Sequence, residues 1–247
     1  MLVRGVRGAR GVRRSASGAM STQAAAHGAR PIAVFDLDGT LVDTKGDIAR
    51  AANLALGSNV DASEVRAMVG GGARNLMTKM LQRTSMGCFV SLDEAMANYL
   101  REYRTTEAST VYPGVRQGLD ALARAGIELA ICTNKPHAQA VQCVAACGLG
   151  AWFPPHAVHG QVDGQPLKPD VAHLARACGG PAPLNRRACL VGDGVADVVC
   201  AKMFPMAVVA AAWGNTPRAA LLELAPDALA DDFASAVAAV LKVLAAA

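Results

Sequence analysis

Two aspartates stand directly after an apolar run, in the string Asp-Leu-Asp-Gly-Thr-Leu at residues 36–41. Asp36 and Asp38 can reach one site only if the backbone turns as it leaves the run, and Gly39 permits such a turn. One carboxylate could then attack a substrate while the other moves a proton. For two aspartates alone, a turn without chemistry is an equal alternative, but the whole string after an apolar run favours the catalytic interpretation.

Groups that suit phosphate oxygens occur further along the chain. Thr133 and Asn134 follow the apolar residues 127–132, and Lys168 stands in a loop rich in glycine and proline. A hydroxyl and backbone N–H groups at a strand end can bind an anion, and a lysine can neutralise it. Each feature taken alone is also typical of an ordinary turn or of a solvated surface lysine.

A third group of carboxylates follows the apolar residues 188–191. Asp193 and Asp197 belong to the string Gly-Asp-Gly-Val-Ala-Asp at residues 192–197. Such oxygens suit Mg²⁺, which binds through one or two protein carboxylates together with substrate phosphate. The glycines resemble a dinucleotide-binding loop, but the third glycine of that pattern is absent, which weakens this alternative.

Short apolar runs alternate with helical patterns, which predicts a mainly parallel sheet covered by helices on both faces, an α/β fold of the Rossmann type. In such sheets ligands bind at the carboxyl ends of the strands, so the three groups above should meet. We predict strands at residues 32–35, 127–132, 157–159, 188–191 and 206–211.

Between Asp36 and Ile127 there is no comparable apolar run, and the sequence pattern predicts a series of helices instead. We predict a catalytic core at residues 31–43 and 111–247, with an inserted helical cap at 44–110. The helices of this cap are expected at residues 47–56, 62–69, 73–81 and 92–106.

Charge is unevenly distributed along the 247 residues, of which 52% are apolar and 18% charged. The formal net charge is +4, and residues 1–30 hold six arginines and no acid. The remainder is mildly acidic, which argues against a nucleic-acid partner. We expect a disordered basic extension at residues 1–30, with a transit peptide as the alternative. No apolar run is long enough to span a membrane, and seven scattered cysteines favour a reducing, cytoplasmic setting.

The four groups, residues 36–41, Thr133, Lys168 and residues 192–197, together resemble the motifs of the haloacid dehalogenase-like hydrolases in order and spacing. Within that superfamily the chain is similar to the phosphoglycolate phosphatase family. The stretches that carry this finer resemblance are residues 42–56, 69–73, 112–115, 131–136 and 213–215.

The resemblance implies a Mg²⁺-dependent phosphomonoester hydrolase that works through an aspartyl-phosphate. It makes Asp36 the nucleophile and Asp38 the acid and base, because an alkoxide leaving group needs a proton. The remaining assignments that it implies are Thr133, Asn134 and Lys168 for the phosphoryl group, Asp36, Asp38 and Asp193 for the metal, and Thr40 and Asp197 as residues that support them.

Substrate choice is expected to depend on the inserted helices. Gly71 and Gly72 lead into a helix, and we hypothesise that this loop and Arg74 bind the carboxylate of 2-phosphoglycolate. The alternative is that the glycines only turn the chain between two helices and that Arg74 is solvated.

Three other functions remain open at this stage. They are a phosphatase for another small ester, such as a sugar phosphate or a nucleotide, a phosphomutase of the same superfamily, and a non-catalytic scaffold. The expected partner is a small anionic phosphate ester, and the expected assembly is a monomer or a homodimer.

Overall fold

The computed structural model describes residues 29–106, 108–182, 184 and 186–245. The predicted disordered extension therefore lies almost wholly outside the described residues, which begin at Ala29. No helix among these residues is both long and apolar enough to cross a bilayer.

The strands build one large parallel sheet and one small antiparallel pair. The large sheet has six strands in the order β5-β4-β1-β6-β7-β8, and β2 pairs with β3. The strands are β1 (Ile32–Phe35), β2 (Val42–Asp43), β3 (Thr110–Val111), β4 (Glu128–Pro136), β5 (Val158–Gln161), β6 (Ala188–Gly192), β7 (Ala207–Ala211) and β8 (Ala228–Ala230).

Helices surround the sheet and also form a separate segment between β2 and β3. They are α1 (Lys45–Leu56), α2 (Ala62–Met68), α3 (Ala73–Thr84), α4 (Leu92–Glu102), α5 (Val115–Arg124), α6 (His137–Ala146), α7 (Val171–Ala177), α8 (Val195–Met203), α9 (Arg218–Glu223) and α10 (Phe233–Ala245).

Strand β1 lies at the centre of the sheet, and every one of its residues is buried. Its side chains alternate between two apolar clusters, because successive residues of a strand point to opposite faces. Ala33 and Phe35 pack with residues of α5, α6 and α10, whereas Ile32 and Val34 pack with residues of α7, α8 and α9. This two-sided burial explains why the strand sequence is apolar throughout.

The register of the central strands brings their carboxyl ends together. Phe35, the last residue of β1, pairs with Ile131 of β4 on one side and with Val191 of β6 on the other. The polar residues that follow these strands therefore leave the sheet at one edge, as the sequence predicts.

Helices α1 to α4 bury a third apolar cluster of their own, which extends from Ile48 to Tyr103. The buried carboxylate of Asp47 connects the start of this segment to its end. Asp47 accepts hydrogen bonds from the backbone N–H of Thr106 at 2.8 Å and from the hydroxyls of Thr106 and Ser109 at 2.6 Å. These bonds hold together the two chain segments that link the four helices to the sheet.

The α/β class and the parallel sheet predicted from the sequence are confirmed. Strand β8 and the β2–β3 pair were not predicted, because runs of two or three residues show no measurable periodicity. Helix α4 ends at Glu102 and not at Thr106, since Tyr103 adopts an extended backbone conformation.

Candidate active site

A cavity of about 480 Å³ opens at the carboxyl ends of β1, β4 and β6. Its walls come from both the sheet and the helices α1, α3 and α4. Most of the predicted site residues line it: Asp36, Asp38, Gly71, Gly72, Thr133, Asn134, Lys168, Asp193 and Asp197.

The Lys168 ammonium lies at the base of the cavity and is buried. Its Nζ forms ion pairs with Asp36 Oδ1 at 3.0 Å and Asp197 Oδ1 at 2.6 Å, and it also donates a hydrogen bond to the carbonyl of Cys132. Burial alone would lower the pKa of Lys168, but the carboxylates of Asp197 and Asp36 outweigh burial and raise it. Lys168 is therefore a fixed positive charge beside Asp36.

Asp36 is positioned by the end of β1, where its backbone N–H donates to the carbonyl of Val191 at 2.9 Å. Burial raises the pKa of the Asp36 carboxyl to about 7, with further increases from the carboxylates of Asp197 and Asp193, although Lys168 opposes the change. In such a buried and acidic environment, the ionised form of a carboxyl group is stabilised strongly by a neighbouring positive charge.

Asp193, directly after β6, is held on both of its oxygens. The Thr40 hydroxyl donates to Oδ1 at 2.8 Å, and the backbone N–H of Asn215 donates to Oδ2 at 2.6 Å. Burial and the nearby Asp197 raise the pKa of Asp193 to about 6, in spite of these two hydrogen bonds. The Thr40 hydroxyl thus fixes the orientation of the Asp193 carboxylate.

The carboxylates of Asp36, Asp193 and Asp197 form a cluster in which one oxygen of each lies within 4.8 Å of the others. Their mutual repulsion and burial favour a bound cation, and hard carboxylate oxygens suit a divalent ion such as Mg²⁺. The side-chain oxygen of Asn215 is also buried beside this cluster and has no hydrogen-bond partner among the described residues. The donor set therefore fits a divalent cation, and Asp197, which the resemblance makes a supporting residue, joins Asp36 and Asp193 in this cluster.

Glycines allow the backbone to approach these carboxylates. Gly39 has a φ of +91°, and a Cβ atom there would collide with Asp193 and Asn215. A Cβ atom on Gly214 would also overlap Asp193. Only glycine fits at such a close approach.

Asp38 faces a second lysine, to which the sequence pattern assigned no role. Lys135 Nζ lies 3.0 and 3.2 Å from the two carboxylate oxygens of Asp38, and the Thr44 hydroxyl donates to Oδ1 at 2.7 Å. The ammonium also lies over the Tyr103 ring, 4.2 Å from its centroid. Burial would lower the pKa of Lys135, but Asp38 outweighs burial and raises it.

Thr133 and Asn134 occupy the end of β4. Thr133 is buried, and its hydroxyl accepts a hydrogen bond from the backbone N–H of Lys135 at 3.2 Å. The side-chain amide of Asn134 donates a hydrogen bond to the carbonyl of Lys168 and accepts one from its backbone N–H, each at 2.9 Å. Asn134 therefore fixes the loop that carries Lys168, a contribution of its side chain that the sequence did not indicate.

The helical segment contributes the loop of residues 70–72, whose glycines all have positive φ. This loop lines the cavity, as predicted for Gly71 and Gly72. Arg74 does not join it, because its guanidinium bonds Asp93 at 2.7 Å and 58% of its side chain is exposed. The structure therefore does not bring Arg74 to the site, and the basic residue that lines this wall is Lys79.

Lys135 and Asn215 are the main residues of the cavity to which the sequence pattern gave no role. Both stand within stretches noted for their family resemblance, so a signal was present. Lys135 is two positions after Thr133 at the same strand end, where the register of β4 against β5 shifts, and both residues are buried.

The chain is similar to known proteins of one family. Residues 31–204 match the family described as haloacid dehalogenase-like hydrolase. The chain is 32% identical over 213 residues to phosphoglycolate phosphatase of Agrobacterium fabrum, covering 83% of this chain and 90% of that one. It is 35% identical over 214 residues to phosphoglycolate phosphatase of Mesorhizobium japonicum, covering 83% of this chain and 92% of that one.

A solved structure shares the fold. The crystal structure of a predicted phosphoglycolate phosphatase from Haemophilus somnus superimposes with a TM-score of 0.74 at 28% identity. The match covers 84% of this chain and 96% of the other.

Proposed function

Because the chain belongs to the haloacid dehalogenase-like hydrolases, we propose that it is a Mg²⁺-dependent phosphatase that hydrolyses 2-phosphoglycolate to glycolate and phosphate. The observation that carries this proposal is the meeting of Asp36, Asp38 and Lys168 in one cavity with the carboxylate cluster. The choice of substrate is supported by the relatives that are named phosphoglycolate phosphatase.

Asp36 is the nucleophile in the proposed reaction. Its carboxylate oxygen forms a bond to phosphorus while the bond between phosphorus and the ester oxygen breaks, which leaves an aspartyl-phosphate and glycolate. Lys168, 3.0 Å from Asp36, faces the transferring phosphoryl group and neutralises part of its charge. The Thr133 hydroxyl and the Asn134 backbone N–H bind the same phosphoryl oxygens.

Asp38 moves the protons. In the first step it gives a proton to the leaving ester oxygen, and in the second it takes a proton from the water that attacks phosphorus and releases phosphate from Asp36. Asp36, Asp193 and the backbone carbonyl of Asp38 would hold Mg²⁺, with Asp197 alongside. When bound, the ion reduces the repulsion between the anionic nucleophile and the anionic ester.

Helices α1 to α4 act as a cap in this proposal, with its boundaries at residues 44–110. Their glycine loop at residues 70–72 lines the same cavity as the catalytic residues, so closure over a substrate would exclude water from the first step. We also expect the protein to act in the cytoplasm, which its seven unpaired cysteines support, and to form a monomer or a homodimer.

The test is phosphate release from a panel of esters with Mg²⁺ and with a chelator. The panel holds 2-phosphoglycolate, glucose 6-phosphate, a nucleoside monophosphate and β-glucose 1-phosphate. We expect the highest kcat/KM for 2-phosphoglycolate, equal amounts of glycolate and phosphate, and loss of the reaction on chelation. A higher kcat/KM for a sugar phosphate or nucleotide would overturn the substrate assignment, and conversion of glucose 1-phosphate to glucose 6-phosphate would indicate a phosphomutase.

A further inference from the structure

We propose that Lys135 selects for esters that carry a carboxylate beside the phosphate, because its ammonium can bind either Asp38 or the carboxylate of the substrate. This inference rests on the proposed function and goes beyond it, since it assigns the recognition of the non-reacting end of the substrate.

Three lysines line the cavity within the described part of the chain, and no arginine does: Lys79, Lys135 and Lys168. An ammonium group has three N–H donors. Lys168 donates hydrogen bonds to Asp197 and to the carbonyl of Cys132, and its ammonium is also ion-paired with Asp36 at 3.0 Å. These contacts keep its charge beside the nucleophile and the carboxylate cluster, where the proposed reaction places the phosphoryl group, and away from the other end of the substrate.

Lys135 differs because its ionic partner is one carboxylate. Its ammonium contacts both oxygens of Asp38 and otherwise lies against the Tyr103 ring. Only 3% of the Lys135 side chain is exposed, so the charge has little access to water. An anion that enters the cavity next to Asp38 would gain a strong, poorly screened contact with this ammonium.

The covalent structure of 2-phosphoglycolate places its carboxylate at this point. One methylene separates the carboxylate from the ester oxygen, so the carboxylate oxygens lie within about 4 Å of the ester oxygen. Asp38 must contact that ester oxygen to protonate it, within about 3 Å. Lys135 already contacts Asp38 at 3.0 Å and is therefore within reach of the substrate carboxylate.

Binding of the substrate carboxylate would also release Asp38 from its ion pair. In the free enzyme the ammonium holds both oxygens of Asp38, and in the complex the substrate supplies a second carboxylate for the same donors. An ester without a carboxylate leaves the ion pair intact. The preference for carboxylate substrates should therefore show in kcat/KM.

Lys79 offers a matched control. It lines the same cavity from α3 and carries the same charge, but its ammonium donates to the backbone carbonyl of Met68 at 3.1 Å. A Lys79→Met variant removes one positive charge from the cavity and leaves the contacts of Asp38 in place.

The experiment compares 2-phosphoglycolate with ethyl phosphate, which has a methyl group in place of the carboxylate. We expect Lys135→Met to reduce the ratio of the two kcat/KM values by about tenfold or more, the usual loss for a charge-assisted hydrogen bond. Lys79→Met should change the ratio by less than about threefold. The proposal would be overturned if Lys135→Met lost kcat/KM equally for both esters. It would also be overturned if the ratio of the two kcat/KM values fell in Lys79→Met and not in Lys135→Met.

A binding measurement covers the case in which Lys135→Met has no measurable turnover. Calorimetry in the presence of Mg²⁺ would compare 3-phosphonopropionate, a non-hydrolysable analogue, with propylphosphonate, which lacks the carboxylate. We expect Lys135→Met to weaken binding of the first by about tenfold and to leave the second within about threefold. Unchanged binding of 3-phosphonopropionate would contradict the assignment.

The outcomes separate this inference from the proposed function. A wild-type enzyme that prefers 2-phosphoglycolate, together with a Lys135→Met variant that keeps the preference, overturns the role of Lys135 alone. A wild-type enzyme that does not hydrolyse 2-phosphoglycolate overturns both.

Discussion

Asp36 and Asp193 are buried together, and this has a thermodynamic consequence. Their pKa values of about 7 and about 6 in the folded protein lie above the ordinary value of 3.8. Both groups therefore favour the folded state at acidic pH, and that contribution is lost as the pH rises through 6 and 7. A bound divalent cation would offset the loss, because it needs the same carboxylates in their ionised form.

We therefore predict that Mg²⁺ raises the melting temperature more at pH 8 than at pH 5.5. At about 100 times its dissociation constant the ion should stabilise the fold by about 2.7 kcal/mol, or roughly 5 °C for a chain of this size. Thermal unfolding with and without Mg²⁺ measures this shift.

Asp193→Asn should abolish the shift, whereas Asp163→Asn should retain it, because Asp163 is an exposed residue that bonds only Gln161 among the described residues. An equal shift at both pH values would contradict the prediction.

Residues that follow strands could be predicted from the sequence, because their position alone brings Asp36, Asp38 and Asp193 to one edge of the sheet. The sequence predicts no role for Lys135, because its role depends on contacts with Asp38 and Tyr103, which are distant in the chain. The sequence predicts Arg74 in the substrate site, and the structure does not place it there, for a related reason. Its direction on α3 is set by Asp93, a neighbour that no local pattern reveals.

At the scale of elements, the turn into α3 brings the glycine loop close to the sheet. Gly72 has a φ of +88°, and a Cβ atom on it would lie 3.3 Å from the carbonyl oxygen of Asn134. The loop therefore packs directly on the strand end that holds Thr133 and Asn134.

We predict that Gly72→Ala lowers kcat/KM by about tenfold, because the added methyl group would push the loop away from Asn134 as well as strain the backbone. Gly57→Ala is the matched control. Gly57 also has a positive φ, +57°, but a Cβ atom there would meet nothing within 4 Å.

Gly57→Ala should lose about 1 kcal/mol of stability, measured by urea denaturation, and Gly72→Ala about 1 to 3 kcal/mol, because the ψ of 170° at Gly72 places it in a backbone region almost confined to glycine. Steady-state kinetics should show the loss of kcat/KM only for Gly72→Ala. Equal kinetics in the two variants would mean that contact with Asn134 does not matter.

The large elements were predictable because burial on both faces demands apolar strands such as β1 and amphipathic helices around them. The small ones were not. The β2–β3 pair forms where the two chain segments on either side of helices α1 to α4 lie next to each other. Helix α4 ends where the chain turns back to donate a hydrogen bond to Asp47. Neither cause is local in sequence.

For the molecule as a whole, the positive net charge resides largely near the amino terminus. Residues 1–28 carry five of the 24 basic residues and no acidic residue, whereas every residue assigned to the site lies after Pro31. The cavity obtains its positive charge locally from three lysines. Attraction of an anionic ester should therefore not depend on the basic segment.

We predict that deletion of residues 1–28 leaves kcat/KM for 2-phosphoglycolate within about twofold of the full chain and changes the melting temperature little. Ion-exchange chromatography should show the loss of basic charge, which confirms the deletion. The prediction would be wrong if the deletion lowered kcat/KM and high salt lowered it in the same way in the full chain. That result would show that the basic segment steers the substrate.

The proposed mechanism makes Asp36 the nucleophile of a Mg²⁺-dependent phosphatase. The most direct measurement is phosphate release from 2-phosphoglycolate by the wild type, Asp36→Asn and Asp43→Asn. Asp43 is the control, an aspartate nearby in sequence that accepts a hydrogen bond from the backbone of Lys45 at 3.2 Å. We predict that Asp36→Asn loses at least about a thousandfold in kcat, while Asp43→Asn stays within about threefold. A rate above a tenth of the wild type in Asp36→Asn would mean that Asp36 is not the nucleophile.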